Sequence, residues 1–217
     1  MDLFQEFLQQ SIEVKTTGKK RLYGILVEIG TDIIVVYNGE DYVYIPNTHV
    51  LKIRKYKQKE ISWKEEEFPS MDHLSLRKIL TNSKGVFAEI NVTGSESIHG
   101  YVTSILSDYF VFYSPVYKTL FIPFRHLKSF IPYQKHQTPY SLKREKFPIN
   151  PSGITVARTL NIQLEKLVGR IIILDLGLST DKIGQLKSIS GNYLELATAR
   201  GETVYININH VKSVHFQ

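Results

Sequence analysis

Residues 184–196 read GQLKSISGNYLEL and residues 205–214 read YININHVKSV. In this stretch Gly184 opens an apolar run, Asn192 stands eight positions later, and His210 follows the glycine by 26 positions. Short runs rich in Ile, Leu, Val and Tyr between turn residues are typical of β-strands. The stretch therefore predicts a small unit of antiparallel strands.

The same pattern occurs in two earlier parts of the chain. In each copy a glycine is followed after eight positions by Asp or Asn, then by an aromatic-isoleucine pair, and after 25 or 26 positions by a histidine. Self-similarity at a fixed period indicates one module used repeatedly, whereas a catalytic centre is rarely present in triplicate. The recurring positions are Gly24, Asp32, Tyr44-Ile45 and His49; Gly100, Asp108, Phe121-Ile122 and His126; and Gly184, Asn192, Tyr205-Ile206 and His210.

Each copy is predicted to contain a short amphipathic helix followed by five strands. In the first copy Leu3, Phe4, Phe7 and Leu8 share one helical face. A five-stranded barrel requires strongly bent strands, and the glycine at the start of the second strand permits a bend or a close backbone approach. The chain is therefore predicted to be all-β with short helices, arranged as three tandem barrels.

The domain boundaries follow from changes in composition. Residues 134–154 hold three prolines and four basic groups against one acidic group, which is typical of a connector. Units of roughly 60 residues bury little of their surface alone, so the repeats are expected to pack on one another. The predicted organisation is repeat 1 over 1–56, a charged linker over 57–70, repeat 2 over 71–133, a basic proline-containing linker over 134–154, and repeat 3 over 155–217.

Composition limits the classes of partner. The net charge is +6, but half of this excess lies in the linker 134–154, so no repeat carries the dense basic stripe expected for nucleic acid binding. The chain has no apolar run long enough to span a membrane and no basic leader before an apolar run. We therefore expect a protein made in the cytoplasm without a signal peptide. The absence of cysteine excludes disulfides and thiolate metal sites.

The acidic position of each repeat is predicted to be structural. Asp32 and Asp108 are replaced by Asn192 in the third copy. A general acid, a nucleophile or a metal carboxylate loses its chemistry when it becomes an amide, whereas an acceptor for turn N–H groups does not. These side chains are therefore predicted to accept hydrogen bonds from their own turns.

The histidines leave two interpretations open. His49, His126 and His210 each follow the fourth strand closely, and a packed histidine at the turn into the fifth strand is favoured. The alternative is a three-histidine metal site, formed if the repeats surround an axis. The chain has no H-E-x-x-H, G-x-S-x-G or P-loop motif. The sequence therefore predicts no catalytic residues, no cofactor and no enzyme activity.

The repeats resemble the Sm-like variant of the SH3-type barrel. The resemblance rests on a helix, five strands, a glycine opening the second strand, Asp or Asn eight places later, and an isoleucine-to-histidine turn into the last strand. Sm-type proteins bind RNA through their turns, with a polar pair such as Arg-Gly after the isoleucine of the fourth strand. The resemblance thus implies RNA binding as an alternative function. At this position the chain has Pro46-Asn47, Pro123-Phe124 and Asn207-Ile208.

The repeats are also similar to those of spore coat protein B and its relatives in endospore-forming bacilli. The shared feature is a Tyr/Phe-Ile strand followed by an ending such as HVLKI, HLKSF or HVKSV. This resemblance implies a non-enzymatic structural and interaction protein of the spore coat or outer spore layer. It also implies deposition from the mother-cell cytoplasm onto the spore surface, with other coat proteins and the chain itself as partners and no membrane insertion. Exposed strand edges are the expected partner surface.

Overall fold

The protein is described by a computed structural model that covers residues 4–18, 20–56, 73–94, 96–134, 137, 139–141 and 155–216. Over these residues the chain consists mainly of β-strands with a few short helices, so the all-β prediction is confirmed. The predicted linker 57–70 lies outside the described residues, and so does most of the linker 134–154.

The described strands fall into three groups of five, and a short helix precedes each group. The helices are a 3-10 helix at Gln5–Phe7, α1 at Leu76–Asn82 and α2 at Leu160–Glu165. The strands are β1 Ser11–Thr16, β2 Arg21–Ile29, β3 Ile33–Tyr37, β4 Tyr42–Pro46 and β5 Val50–Lys55; β6 Phe87–Asn91, β7 Ser97–Ile105, β8 Tyr109–Ser114, β9 Lys118–Pro123 and β10 Ser129–Pro132; and β11 Ile171–Leu174, β12 Ile183–Ser190, β13 Tyr193–Thr198, β14 Thr203–Asn207 and β15 Val214–Phe216.

The second strand of every repeat carries a β-bulge at the same place. The register shifts between Leu26 and Glu28 in β2, between Val102 and Ser104 in β7, and between Leu186 and Ser188 in β12. Each bulged residue comes three positions after the recurring glycine. A bulge bends its strand and increases its twist. The bend required by a small, curved sheet is therefore built at one fixed position of the module.

The first compact unit comprises Met1–His99 and Leu127–Ser141. Its strands have the order β5-β1-β2-β3-β4-β10-β6, followed by the first residues of β7. The fifth strand of the second repeat, β10, thus lies between β4 and β6 and is antiparallel to both. Ile131 of β10 packs on the core of the first repeat, which contains Ile12, Val14, Leu26, Ile34, Val36, Val43 and Ile45.

The second compact unit comprises Gly100–His126 and Leu142–Gln217. It begins with the rest of β7 and continues in the order β8-β9-β15-β11-β12-β13-β14. The fifth strand of the third repeat, β15, lies between β9 and β11 and is antiparallel to both. Tyr109, Val111 and Phe121 of the second repeat belong to the same core as the leucines of the third repeat, among them Leu160, Leu164, Leu186, Leu194 and Leu196.

The prediction of three closed barrels has to be corrected, because the strand order is that of an open antiparallel sheet. Within a repeat the fifth strand pairs with the first strand, as β5 does with β1. The free edge of the fourth strand pairs with the fifth strand of the following repeat, so it is not available to its own fifth strand. Strand edges exchanged between repeats also explain why adjacent repeats share cores.

Candidate functional site

The recurring glycines lie where the second strand passes very close to the end of the third strand. A Cβ atom on Gly24 would lie 2.2 Å from the carbonyl oxygen of Tyr37, and one on Gly100 would lie 2.0 Å from that of Tyr113. At Gly184 the distance to the Ala197 carbonyl oxygen would be 2.5 Å. Any side chain here would displace the neighbouring backbone. These glycines therefore belong to the strand geometry and not to a ligand cradle.

The Asp32 side chain connects the first repeat to the helix of the second repeat. Its Oδ1 accepts a hydrogen bond from the backbone N–H of Leu76, the first residue of α1, at 2.8 Å. The adjacent Thr31 N–H donates to the carbonyl oxygen of Leu74 at 2.7 Å. The first N–H groups of a helix have no partner within the helix, and a carboxylate is favourable there. Asp32 thus fixes the start of α1 on the preceding repeat.

The next junction repeats this arrangement. Asp108 Oδ1 accepts from the Leu160 N–H, the first residue of α2, at 2.9 Å. Ser107 N–H donates to the carbonyl oxygen of Arg158 at 3.0 Å. Thr31-Asp32 and Ser107-Asp108 therefore play the same part. Each pair lies at the turn after the second strand of its repeat and holds the helix of the following repeat.

The third repeat has Gly191-Asn192 at this place, and Gly191 adopts a left-handed conformation with φ of +57°. All three copies share a hydrogen bond accepted by the backbone carbonyl oxygen of the Asp or Asn residue. The carbonyl oxygens of Asp32, Asp108 and Asn192 accept from the N–H groups of Asn47, Phe124 and Ile208 at 2.8, 3.1 and 2.8 Å, respectively. The aspartate side chains were predicted to bind their own turns. Instead the side chains of Asp32 and Asp108 accept from the first N–H of the next helix, while their backbone carbonyls bond the turn after the fourth strand.

Strand pairing forms the second part of each junction. Tyr44 on β4 lies opposite Phe130 on β10, with ring centroids 6.4 Å apart. Phe121 on β9 lies opposite Val214 on β15. All four side chains are buried, and burial raises the pKa of the Tyr44 hydroxyl to about 12. The aromatic residue of the aromatic-isoleucine pair is thus the contact between consecutive repeats.

The three histidines have different surroundings. His49 is buried, and its Nδ1 lies 2.8 Å from the Thr17 Oγ1. His126 is half-buried and donates from Nε2 to the Asn209 carbonyl oxygen at 2.9 Å. Burial lowers the pKa of His126, although the bond to Asn209 acts in the opposite direction. His210 is exposed. The packed interpretation describes His49 well and His210 poorly.

Arg125 was not identified from the sequence, yet it joins two turns. Its Nη2 donates to the Ile208 carbonyl oxygen at 2.9 Å, and its Nε donates to the Asn209 carbonyl oxygen at 3.3 Å. Arg125 occupies the turn after the fourth strand of the second repeat, and its acceptors occupy the same turn of the third repeat. The residues at the same position in the other copies are Thr48 and Asn209. This difference between copies was the signal in the sequence that could have identified Arg125.

A family model described as the YwrJ third domain matches residues 159–214, which lie within the predicted third repeat. The uncharacterized protein YwrJ of Bacillus subtilis (strain 168) is 42% identical over 218 residues, with 97% of each chain covered. The chain belongs to the YwrJ family. The match extends over all three repeats, so the repeat junctions lie within the region shared with this relative.

Two buried carboxylates of this YwrJ family member were also not identified from the sequence. Glu13 on β1 accepts hydrogen bonds from Arg54 on β5 and from Arg21 on β2. These interactions, led by the hydrogen bond from Arg54, lower the pKa of the Glu13 carboxyl. Glu13 thus ties together three adjacent strands of the first repeat.

The second buried carboxylate is Asp175, which adopts a left-handed conformation with φ of +50°. Its Oδ1 accepts from the backbone N–H groups of Lys212 at 2.6 Å and Ser213 at 3.3 Å, and its other oxygen pairs with the Lys182 ammonium group. Because the side chain lies under the segment that leads into β15, Asp175 positions the strand that reaches back to the second repeat.

Within the described residues of this YwrJ family member, no group of three or more His, Asp or Glu side chains is arranged to hold a metal ion. Over the same residues, no helix has the length and apolar character needed to cross a membrane. The best-defined site of the chain is therefore the repeat junction, composed of an aspartate-helix contact and an exchanged strand edge.

Proposed function

We propose that this chain is a non-enzymatic structural and interaction protein of the bacterial spore coat or outer spore layer, which assembles through its strand edges. One observation carries the proposal. The fourth strand of a repeat accepts the fifth strand of the next repeat at two junctions, so the module is built to extend a sheet through its edges. Addition of strands to an open edge is a common mode of protein association.

The recurring residues support a structural role. The glycines accommodate a close backbone approach, the aspartates hold helices, and His49 and His126 bond to neighbouring groups of the same compact unit. A module whose repeated polar groups are used in this way stabilises an arrangement of repeats. The similarity to a Bacillus protein fits the resemblance of the repeats to a coat family of endospore-forming bacilli.

The test is localisation during sporulation. The chain is expressed from its own promoter as a fusion to a fluorescent protein in a sporulating host, with the fluorescent protein alone as the control. We expect fluorescence to encircle the developing spore, and we expect the chain to appear in the coat fraction extracted from released spores. Diffuse fluorescence in the mother cell, with none on released spores, would contradict a coat function.

RNA binding of the Sm type receives less support. In Sm-type proteins the turn after the fourth strand contacts RNA. Arg125 occupies this turn in the second repeat, and its guanidinium already donates to two backbone carbonyls. Binding of a single-stranded oligonucleotide at about 50 mM salt, weakening steeply as salt is raised, would favour this alternative. The same assay on Arg125→Gln would show whether the turn takes part.

A further inference from the structure

The two junctions inside the chain follow one register. In each, the aromatic residue of the fourth strand lies opposite the residue four positions after the histidine of the next repeat. Tyr44 therefore faces Phe130, and Phe121 faces Val214. At the second junction the next residues also pair, Leu120 with His215. The same pairing rule thus operates at two places with different side chains.

One fourth strand, β14, and one fifth strand, β5, lie at the ends of the strand order over the described residues. Over the described residues, β5 has β1 as its neighbour on one side only, and β14 likewise has only β13. The aromatic residue of β14, Tyr205, is 67% exposed, whereas its equivalents Tyr44 and Phe121 are 8% and 0% exposed. On β5, Leu51 is 60% exposed. Over the described residues, the first and third repeats therefore leave unpaired the two strand edges that meet at the internal junctions.

We infer that copies of this chain associate head to tail, with β14 of one copy pairing with β5 of the next. This inference rests on the proposed function, because it specifies a second copy as a partner of the strand edges. The register of the internal junctions places Tyr205 opposite Ile53, which is four positions after His49, and Val204 opposite Arg54. Aromatic and β-branched residues facing each other across antiparallel strands stabilise such pairs.

The charges of the two edges favour this polarity. β5 carries Lys52, Arg54 and Lys55, so two β5 edges facing each other would bring cations together. β14, with the sequence TVYIN, carries no charge and no proline, and none of its pairs with β13 is shifted by a bulge. An edge without these features is open to pairing. A neutral β14 can accept the basic β5 without repulsion.

The contact between copies is expected to be weaker than the internal junctions. At the internal junctions Asp32 and Asp108 also bind the helix of the following repeat, whereas the third repeat has Asn192 after a glycine. Strand pairing would therefore act without the charged helix contact. Association should be reversible and depend on concentration, as suits a subunit that is added to a growing layer.

Sedimentation velocity of the full chain, from roughly 1 to 100 µM, tests the inference. We expect species at or above twice the monomer mass of 25.0 kDa. Continued growth would indicate an open head-to-tail assembly. Discrete species would indicate a closed assembly, and the edge variants then separate a head-to-tail ring from a symmetric dimer. A monomer at every concentration overturns it. A monomeric chain that still localises to the spore would contradict head-to-tail pairing but not the coat function. The failure of one proposal can therefore be distinguished from the failure of the other.

Variants that block one edge each make the test specific. Tyr205→Lys places a cation opposite Ile53 and near Lys55, and Leu51→Lys adds a cation to β5; both side chains are exposed, so folding should persist, as circular dichroism would verify. Each variant alone should be monomeric. An equimolar mixture should form a 1:1 dimer and nothing larger, because one free β5 meets one free β14.

The matched control is Tyr193→Lys. Tyr193 is 50% exposed on β13, an inner strand, so its replacement should leave association unchanged. Association of either blocked variant by itself would overturn head-to-tail pairing, because a symmetric contact through one edge would then suffice. Loss of association in the control would overturn it as well, since β13 would then be the contact.

Discussion

The carboxylate of Asp32 accepts a hydrogen bond from the backbone N–H of Leu76, 44 positions further along the chain. Asp108 makes the same contact with Leu160, 52 positions away. The residue that recurs in each repeat therefore acts on the following repeat at both junctions. Within each compact unit, this contact fixes the helix of one repeat on the repeat before it.

Replacement of Asp108 by Ala should lower the free energy of unfolding by about 0.5 to 2 kcal/mol, because the first N–H of α2 loses its acceptor. Asp108→Asn should lose less, since the amide oxygen can still accept. Asn192→Ala is the matched control, because the hydrogen bond that Asn192 accepts from Ile208 is made by its backbone carbonyl oxygen and survives the substitution. Urea unfolding followed by circular dichroism measures the difference. Equal losses for Asp108→Ala and Asn192→Ala would contradict the helix contact.

Gly100→Ala should destabilise the chain by about 2 kcal/mol or more, because the added Cβ would lie 2.0 Å from the Tyr113 carbonyl oxygen. Gly191→Asn provides the control. Gly191 lies in the turn between β12 and β13, where nothing lies within 4 Å of its Cβ position and its φ of +57° suits asparagine. Thermal unfolding of both variants should show a large shift for the first only.

The stability of the first repeat should depend on pH through Glu13. Its pKa in the folded chain is lowered below the ordinary value of 4.5, chiefly by the hydrogen bond from Arg54. The stabilisation is therefore present above the pKa of the unfolded chain and is lost as the pH falls through the folded pKa. Urea unfolding of the wild type and of Glu13→Gln between about pH 7 and pH 3 should give curves that converge at low pH. A constant difference would exclude this carboxylate as the cause.

Asp175→Ala should lower the free energy of unfolding by about 2 to 4 kcal/mol, because the buried Ser213 N–H, the partly buried Lys212 N–H and the Lys182 ammonium lose a common partner. Asp175→Asn separates the charge from the backbone geometry, since asparagine tolerates the left-handed conformation and keeps an acceptor. The exposed neighbour Asp181, changed to Ala, should have little effect. The midpoint of urea unfolding ranks the three variants. If Asp181→Ala matched Asp175→Ala, general loss of charge would explain both.

Much of the fold could be predicted because its causes are local. Residues 42–46 (YVYIP) and 109–114 (YFVFYS) are runs of aromatic and β-branched residues next to turn residues, which favours strands, and the structure has β4 and β8 at these positions. The strand edges could not be predicted in this way. Nothing in the sequence near Tyr44 indicates that its cross-strand neighbour is Phe130, because the spacing of residues along a strand does not identify the strand beside it.

The sequence by itself determined that one β module occurs three times, that it contains no cysteine chemistry, and that the glycine, acidic and histidine positions recur at fixed spacing. Only the tertiary structure decided what the acidic positions bind, that Arg125 joins two turns, and which strand completes each edge. The physical reason is that strand formation follows from local conformational preference and burial pattern. Partners across a junction are chosen by the packing of segments dozens of residues apart.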